Sequence, residues 1–94
     1  SRLLHWRQGN EVITQGKQTQ FIPHNGVYVI ARQYNGKNVM TILNGRNSAN
    51  KLEVKRYAEI IGKQNIARDV TTGKTISLST YVPLSARQAM VLEF

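Results

Sequence analysis

The stretch 27-VYVIARQYNGKNVMTIL-43 decides the fold class. Asn35-Gly36 at its centre is the dipeptide favoured by a two-residue type I′ hairpin turn, where both central positions need φ above zero. On either side lie strand-length runs rich in β-branched and aromatic residues, VYVIARQY and KNVMTIL. A two-residue turn sets Tyr34 opposite Lys37, Ala31 opposite Met40 and Val29 opposite Ile42. The period of two then places Val27, Val29, Ala31, Met40 and Ile42 on one face, the expected core. Tyr28, Ile30, Val39 and Leu43 share the other face with Arg32, Thr41 and Lys37. This second face is polar near the turn and apolar away from it. A sheet wetted on one side alternates cleanly, so the apolar end of the second face calls for a cover.

Outward from the hairpin, the same dipeptide recurs at Asn25-Gly26 and Asn44-Gly45, and each reads as a turn of the same kind. Leu52 and Val54 alternate with Glu53 and Lys55 as a short strand. Tyr57, Ile60 and Ile61 then fall at helical spacing ahead of Gly62, which predicts one or two turns of helix with a glycine stop. The run 67-ARDVTTGKTISLS-79 reads as a second hairpin, with Gly73 in the turn and Ile76 and Leu78 facing in. Pro83 confines Tyr81 to Leu84 to an edge strand or a connection. The closing 89-AMVLEF-94 is apolar at nearly every position, as in a strand buried on both faces. About seven or eight short strands at hairpin spacing predict an all-β fold, an antiparallel, Greek-key-like β-sandwich.

The first ten residues, 1-SRLLHWRQGN-10, break this pattern. Leu3 and Trp6 share a helical stripe, and Gly9-Asn10 would end it. A helix of about eight residues does not hold in water alone, because nucleation costs more than so few hydrogen bonds return. Such a stub either closes one end of the sandwich or is the last part of a longer helix from an upstream domain. The pattern favours the second reading, with residues 1–10 as that helix end and 11–94 as the sandwich domain.

With 94 residues the chain has room for one domain with a thin core. Its net charge is +8, from 13 Lys and Arg against 5 Asp and Glu, yet only Lys55 and Arg56 are adjacent basic residues. A nucleic-acid site gathers its charge on one face or arm. The scatter here predicts a solvated surface and no nucleic-acid partner. No run approaches the ~20 apolar residues of a membrane helix, so no membrane partner is expected. The absence of cysteine excludes disulfides and thiolate metal sites.

The catalytic inventory is thin. Glu11, Glu53, Glu59, Asp69 and Glu93 show no spacing that suggests the paired carboxylates of glycosidic chemistry. His5 and His24 form no helical ligand pair. No serine sits in a nucleophile elbow, and no glycine-rich phosphate loop occurs. The chain is expected to carry no active site, metal or cofactor of its own. Among the aromatics, Tyr34 beside the hairpin turn and Tyr81 beside Pro83 are the candidate exposed rings for sugar contact. Trp6 and Phe21 are assigned to packing.

In order and spacing, Leu3-Leu4-x-Trp6-Arg7, Val12-Ile13-x-x-Gly16, Phe21-x-Pro23, Gly26-Val27-Tyr28-Val29, Leu43-Asn44, Arg56-Tyr57-x-Glu59, Asp69-Val70-x-Thr72-Gly73 and Val91-Leu92-Glu93 cover essentially the whole chain. Jointly they resemble the C-terminal β-sandwich domain of α-amylase-family glycoside hydrolases, of the cyclomaltodextrinase and neopullulanase type found in starch utilisation. The resemblance implies that Ser1 to Gln8 end the last helix of a (β/α)8 catalytic barrel, whose acids lie outside this sequence. It implies an accessory domain that packs on that barrel and stabilises it, with Leu3, Leu4, Trp6, Tyr28 and Ile30 as candidate interface residues. The alternative is an autonomous maltodextrin- or starch-binding module that uses Tyr34 and Tyr81, and a less favoured third reading is a basic nucleic-acid-binding β-domain. Where the family usually carries an aromatic pair after the Tyr-Val of the second strand, Ile30-Ala31 stand here, which disfavours a sugar platform on that strand. Compartment is not legible in the residues; a periplasmic location follows only by analogy.

Overall fold

The computed structural model describes residues 17–94. Eight strands fall in two sheets. The larger has six strands in the order β1-β2-β3-β8-β5-β6, from β1 (Lys17–Gln20), β2 (Val27–Tyr34), β3 (Lys37–Asn44), β5 (Ile66–Asp69), β6 (Thr75–Ser77) and β8 (Ala89–Glu93). The smaller pairs β4 (Asn50–Glu53) with β7 (Tyr81–Leu84). All pairings are antiparallel. After β3 the chain crosses to the second layer as β4, returns as the β5–β6 hairpin, crosses again as β7, and inserts β8 between β3 and β5. These crossings make it a sandwich rather than a meander.

The β2–β3 hairpin has the register that its turn predicts, with Tyr34 opposite Lys37, Ala31 opposite Met40 and Val29 opposite Ile42. Asn35 and Gly36 have φ of 50° and 78°, the left-handed pair that a type I′ turn requires. Val27, Val29, Ala31, Met40 and Ile42 are all buried and join one core with Ala67, Met90 and Leu92 of the same sheet. The second layer closes over them. Leu52, Val82 and Leu84 come from the small sheet, and Leu78 from the loop after β6. Val54 and Tyr57 come from a 3-10 helix (Val54–Tyr57), and Ile60 and Ile61 from α1 (Ala58–Ile61), which Gly62 stops. Phe21 meets Tyr57 edge-on, with ring centroids 4.9 Å apart, in the packing role expected of it. Each such side chain removed from water contributes about 1.5–3 kcal/mol.

Three expectations are corrected. Asn44-Gly45 is not a left-handed turn, because neither residue has positive φ. Asn44 instead ends β3 fully buried. Its amide donates to the carbonyls of Ser48 (3.0 Å) and Ser85 (2.8 Å) and accepts from Arg46 N (3.0 Å) and Asn50 Nδ2 (3.3 Å). The hydrogen bonds it can make inside outweigh its turn preference. The closing strand is not buried on both faces: Met90 and Leu92 are buried, Val91 and Glu93 are half-buried, and Ala89 is exposed. Only one side of β8 meets a second layer among the described residues. Lastly, the strand expected to reach Lys55 stops at Glu53, and the chain turns into the 3-10 helix at Val54. Pro83 does sit on an edge, opposite Lys51 in the two-stranded sheet, where no neighbour asks for its missing N–H. The expected helix end at residues 1–10 lies outside the described residues.

Candidate functional site

The outer face of the six-stranded sheet can be read row by row from its register. Tyr28, Leu43 and Ala89 form a first row across β2, β3 and β8. Gln20, Ile30, Thr41 and Val91 form the second, which Val70 extends through its N–H bond to the Val91 carbonyl (2.9 Å). The third row is Gln18, Arg32, Val39, Glu93 and Arg68. Tyr34 and Lys37 form the fourth, beside the turn. The face is therefore apolar at one end and charged at the other, as the hairpin sequence predicts.

At the apolar end Tyr28 is 50% exposed and Leu43 is 43% exposed, large side chains with nothing over them among the described residues. The Tyr28 ring lies so close to Gly45 that a Cβ there would sit 2.9 Å from Cε1, so the Asn-Gly pair misread as a turn serves to seat this tyrosine. At the charged end Arg68 pairs with Glu93 across β5 and β8, and Arg32 donates to Gln18 Oε1 at 3.2 Å. Val39 is only 2% exposed although it lies on this open face. Val70, in the second row, is likewise only 1% exposed, so the face is not uniformly open.

The sequence-predicted site residues are only partly brought together. Tyr28 and Ile30 stand on this face in adjacent rows. Leu3, Leu4 and Trp6 lie outside the described residues. Tyr34 is half-buried on the large sheet, whereas Tyr81 is 44% exposed on the small one. The Lys51 ammonium sits 4.1 Å from the centroid of the Tyr81 ring, so one face of this ring is already engaged by a cation. Leu43, Val91 and Gly45 belong to the outer-face site without having been singled out. Leu43 was legible as the cross-strand partner of Tyr28. Val91 required the non-local pairing of β3 with β8, which no local pattern shows.

Elsewhere, His24 Nε2 lies 4.0 Å from Glu53 Oε1, with both side chains well exposed. A shallow hollow of about 260 Å³ is lined by Lys55, Ser79 and Thr80 among apolar residues and holds no carboxylate. Burial pushes the Tyr57 phenol above its ordinary pKa of 10.0, with the Arg56 charge acting the other way. Among the described residues no helix is long and apolar enough to cross a membrane.

The family model for the cyclo-malto-dextrinase C-terminal domain matches residues 18–93. The chain belongs to this family. It is a C-terminal domain of the kind carried by α-amylase-family enzymes. The fold is shared with AmyP, solved in complex with maltose, at a TM-score of 0.79 and 20% identity over 98% of this chain and 19% of that one. An Anoxybacillus α-amylase matches at a TM-score of 0.74 and 15% identity, over 98% of this chain and 20% of that one. The trehalulose synthase MutB from Pseudomonas mesoacidophila MX-45 matches at 0.72 and 11% identity, over 98% and 16% respectively. The chain thus spans about a fifth or less of the length of each of these proteins.

Proposed function

We propose that this domain is the non-catalytic C-terminal accessory domain of a maltodextrin-degrading enzyme of the cyclomaltodextrinase and neopullulanase type. It packs the apolar end of its outer face against the enzyme's (β/α)8 barrel and stabilises it. The observation that carries this reading is the row Tyr28–Leu43–Ala89 with Ile30 and Val91 behind it. This is a mainly apolar patch, interrupted by Thr41 between Ile30 and Val91, on a sheet whose other end is charged. Residues 1–10, with Leu3, Leu4 and Trp6, would lead in from the barrel and add to the same contact.

The pair Tyr28→Ser and Leu43→Ser tests this in the full-length enzyme and in the 94-residue chain alone. The full-length protein should lose about 3 kcal/mol or more, the worth of two buried side chains. The chain alone should change by less than about 0.5 kcal/mol per site, as exposed positions do. Equal small losses in both would overturn the proposal. Sugar contact at Tyr34 and Tyr81 has less support, because the two rings stand on different sheets and Lys51 already covers one of them.

A further inference from the structure

One dipeptide, Asn-Gly, stands in three different environments in this molecule: 25–26, 35–36 and 44–45. Asn-Gly is chemically labile. The backbone nitrogen of the glycine can attack the side-chain carbonyl carbon of the asparagine and close a five-membered succinimide. The side-chain nitrogen then leaves as ammonia with the proton the glycine amide gives up. Water adds to either ring carbonyl and breaks one C–N bond, leaving aspartate or isoaspartate, with no change of oxidation state. We propose that Asn35 is a built-in site of this conversion and that the fold protects the other two.

The reaction depends on how the attacking nitrogen is brought round. In a type I′ turn the first central residue has ψ of about +30°, which turns the glycine N–H away from the side chain. In a type II′ turn the same residue has ψ of about −120°. Flipping only the central peptide converts one into the other and swings the glycine nitrogen toward the side-chain carbonyl, with the strands left paired. At Asn35-Gly36 no contact opposes that flip, and the strain of holding a residue with a Cβ at the first central position of a type II′ turn is shared equally by Asn25 and Asn35. Both residues are exposed, no hydrogen bond engages the Asn35 side chain among the described residues, and a Cβ on Gly36 would meet nothing within 4 Å. Glycine accepts the negative φ of the flipped state without strain.

The Asn25-Gly26 turn has nearly the same dihedrals, with φ of 54° and 74°, yet it is locked. The Asn25 carbonyl, which would have to swing round, accepts a 2.8 Å bond from Asn50 Nδ2. The Gly26 carbonyl accepts from Gly45 N at 2.7 Å, and the Arg46 stem lies against Gly26. Asn44 is closed off altogether, since it is fully buried with its amide nitrogen donating twice and its amide oxygen accepting twice. The consequence at Asn35 is local but real. Isoaspartate adds a methylene to the backbone of a two-residue turn, which loosens the Tyr34–Lys37 pair. Either product adds a negative charge to the charged end of the outer face.

The test is peptide mapping of the intact protein aged in mildly alkaline buffer, native and in denaturant, with an isoaspartyl methyl-transfer assay beside it. In denaturant the three sites should react at similar rates. In the native protein Asn35 should stay within about tenfold of its denatured rate, because a turn tip opens at little cost. Asn44 should slow by about a thousandfold or more, because it reacts only through global opening. Asn25 should fall between them. Asn50→Ala, which frees the Asn25 carbonyl and removes one of the two bonds to Asn44 Oδ1 but leaves Asn44 buried and donating to Ser48 and Ser85, should accelerate Asn25 while Asn44 stays slow and Asn35 is unchanged. Should that variant unfold, Asn44 would react as in denaturant, and the ranking in the unsubstituted protein decides alone. A native Asn35 rate no faster than that of Asn25 or Asn44 would overturn the proposal.

Discussion

The two faces of the six-stranded sheet are built from alternate residues of the same strands, so neighbours such as Ile42 and Leu43 share a backbone and little else. Ile42 is fully buried beneath the second layer, while Leu43 is 43% exposed on the outer face. The inner face is closed by a small sheet, a 3-10 turn and one turn of helix. The outer face passes from an apolar row at Tyr28 and Leu43 to a charged row at Arg32, Glu93 and Arg68. The difference teaches that apolar character alone does not say which face is the core. One face meets its partner within the domain, and the other displays Tyr28 and Leu43 with no cover among the described residues, where the function proposed above puts the barrel.

Ile42→Ala in the chain alone breaks the comparison at its strongest point. Deletion of a fully buried side chain should cost about 2–5 kcal/mol in denaturant unfolding. Leu43→Ala, one residue away, should change stability by no more than about 0.5 kcal/mol. Like losses at the two positions would mean that the outer face is closed within the domain after all.

Alkaline pH probes the inner face by a conditional effect. Tyr57 is buried against Phe21, and burial raises its phenol above the 10.0 of an exposed tyrosine. Above that pH the unfolded chain sheds the proton while the folded chain still holds it. The native state then binds more protons, and stability falls as pH rises through this window. Below it the group is protonated in both states and contributes no slope. Tyr57→Phe should flatten the alkaline limb of a stability–pH curve. An unchanged limb would place the titration elsewhere.

The sequence made the inner face and its hairpin legible because both follow from local rules, a turn dipeptide and a period of two. Residues 27–43 carry the register, the core set and even the apolar end of the outer face. Asn44 and β8 show where such rules stop. Asn44-Gly45 has the same letters as two true turns, but its fate was decided by Ser48, Ser85 and Asn50, partners that no dipeptide preference includes. The closing strand was read as doubly buried because its composition is apolar on both sides. Its outer side, with Val91 half-buried, lies on the proposed interface face, and no second layer covers it among the described residues. Of the two rings expected to be exposed, Tyr81 is exposed and Tyr34 is half-buried, and that they sit on separate sheets depends on the β4–β7 pairing, which joins distant segments.

The smallest effect locates the edge of the outer-face contact. Arg68 lies directly opposite Glu93 in the β5–β8 pairing, with its side chain about half exposed (51%) and that of Glu93 25% exposed. In the chain alone Arg68→Gln should cost no more than about 1 kcal/mol, since an exposed ion pair gains little over hydration. The cost should shrink further as salt screens the charges. If the barrel covers only the apolar rows, the full-length protein should show the same small, salt-sensitive loss, with Arg68 and Glu93 at a wetted rim. If the contact extended over the third row, the pair would be desolvated. Removing one partner would then cost about 3–5 kcal/mol and depend little on salt. The row pattern predicts the first outcome, because a surface that ends in paired charges is shaped like the border of an interface rather than its centre.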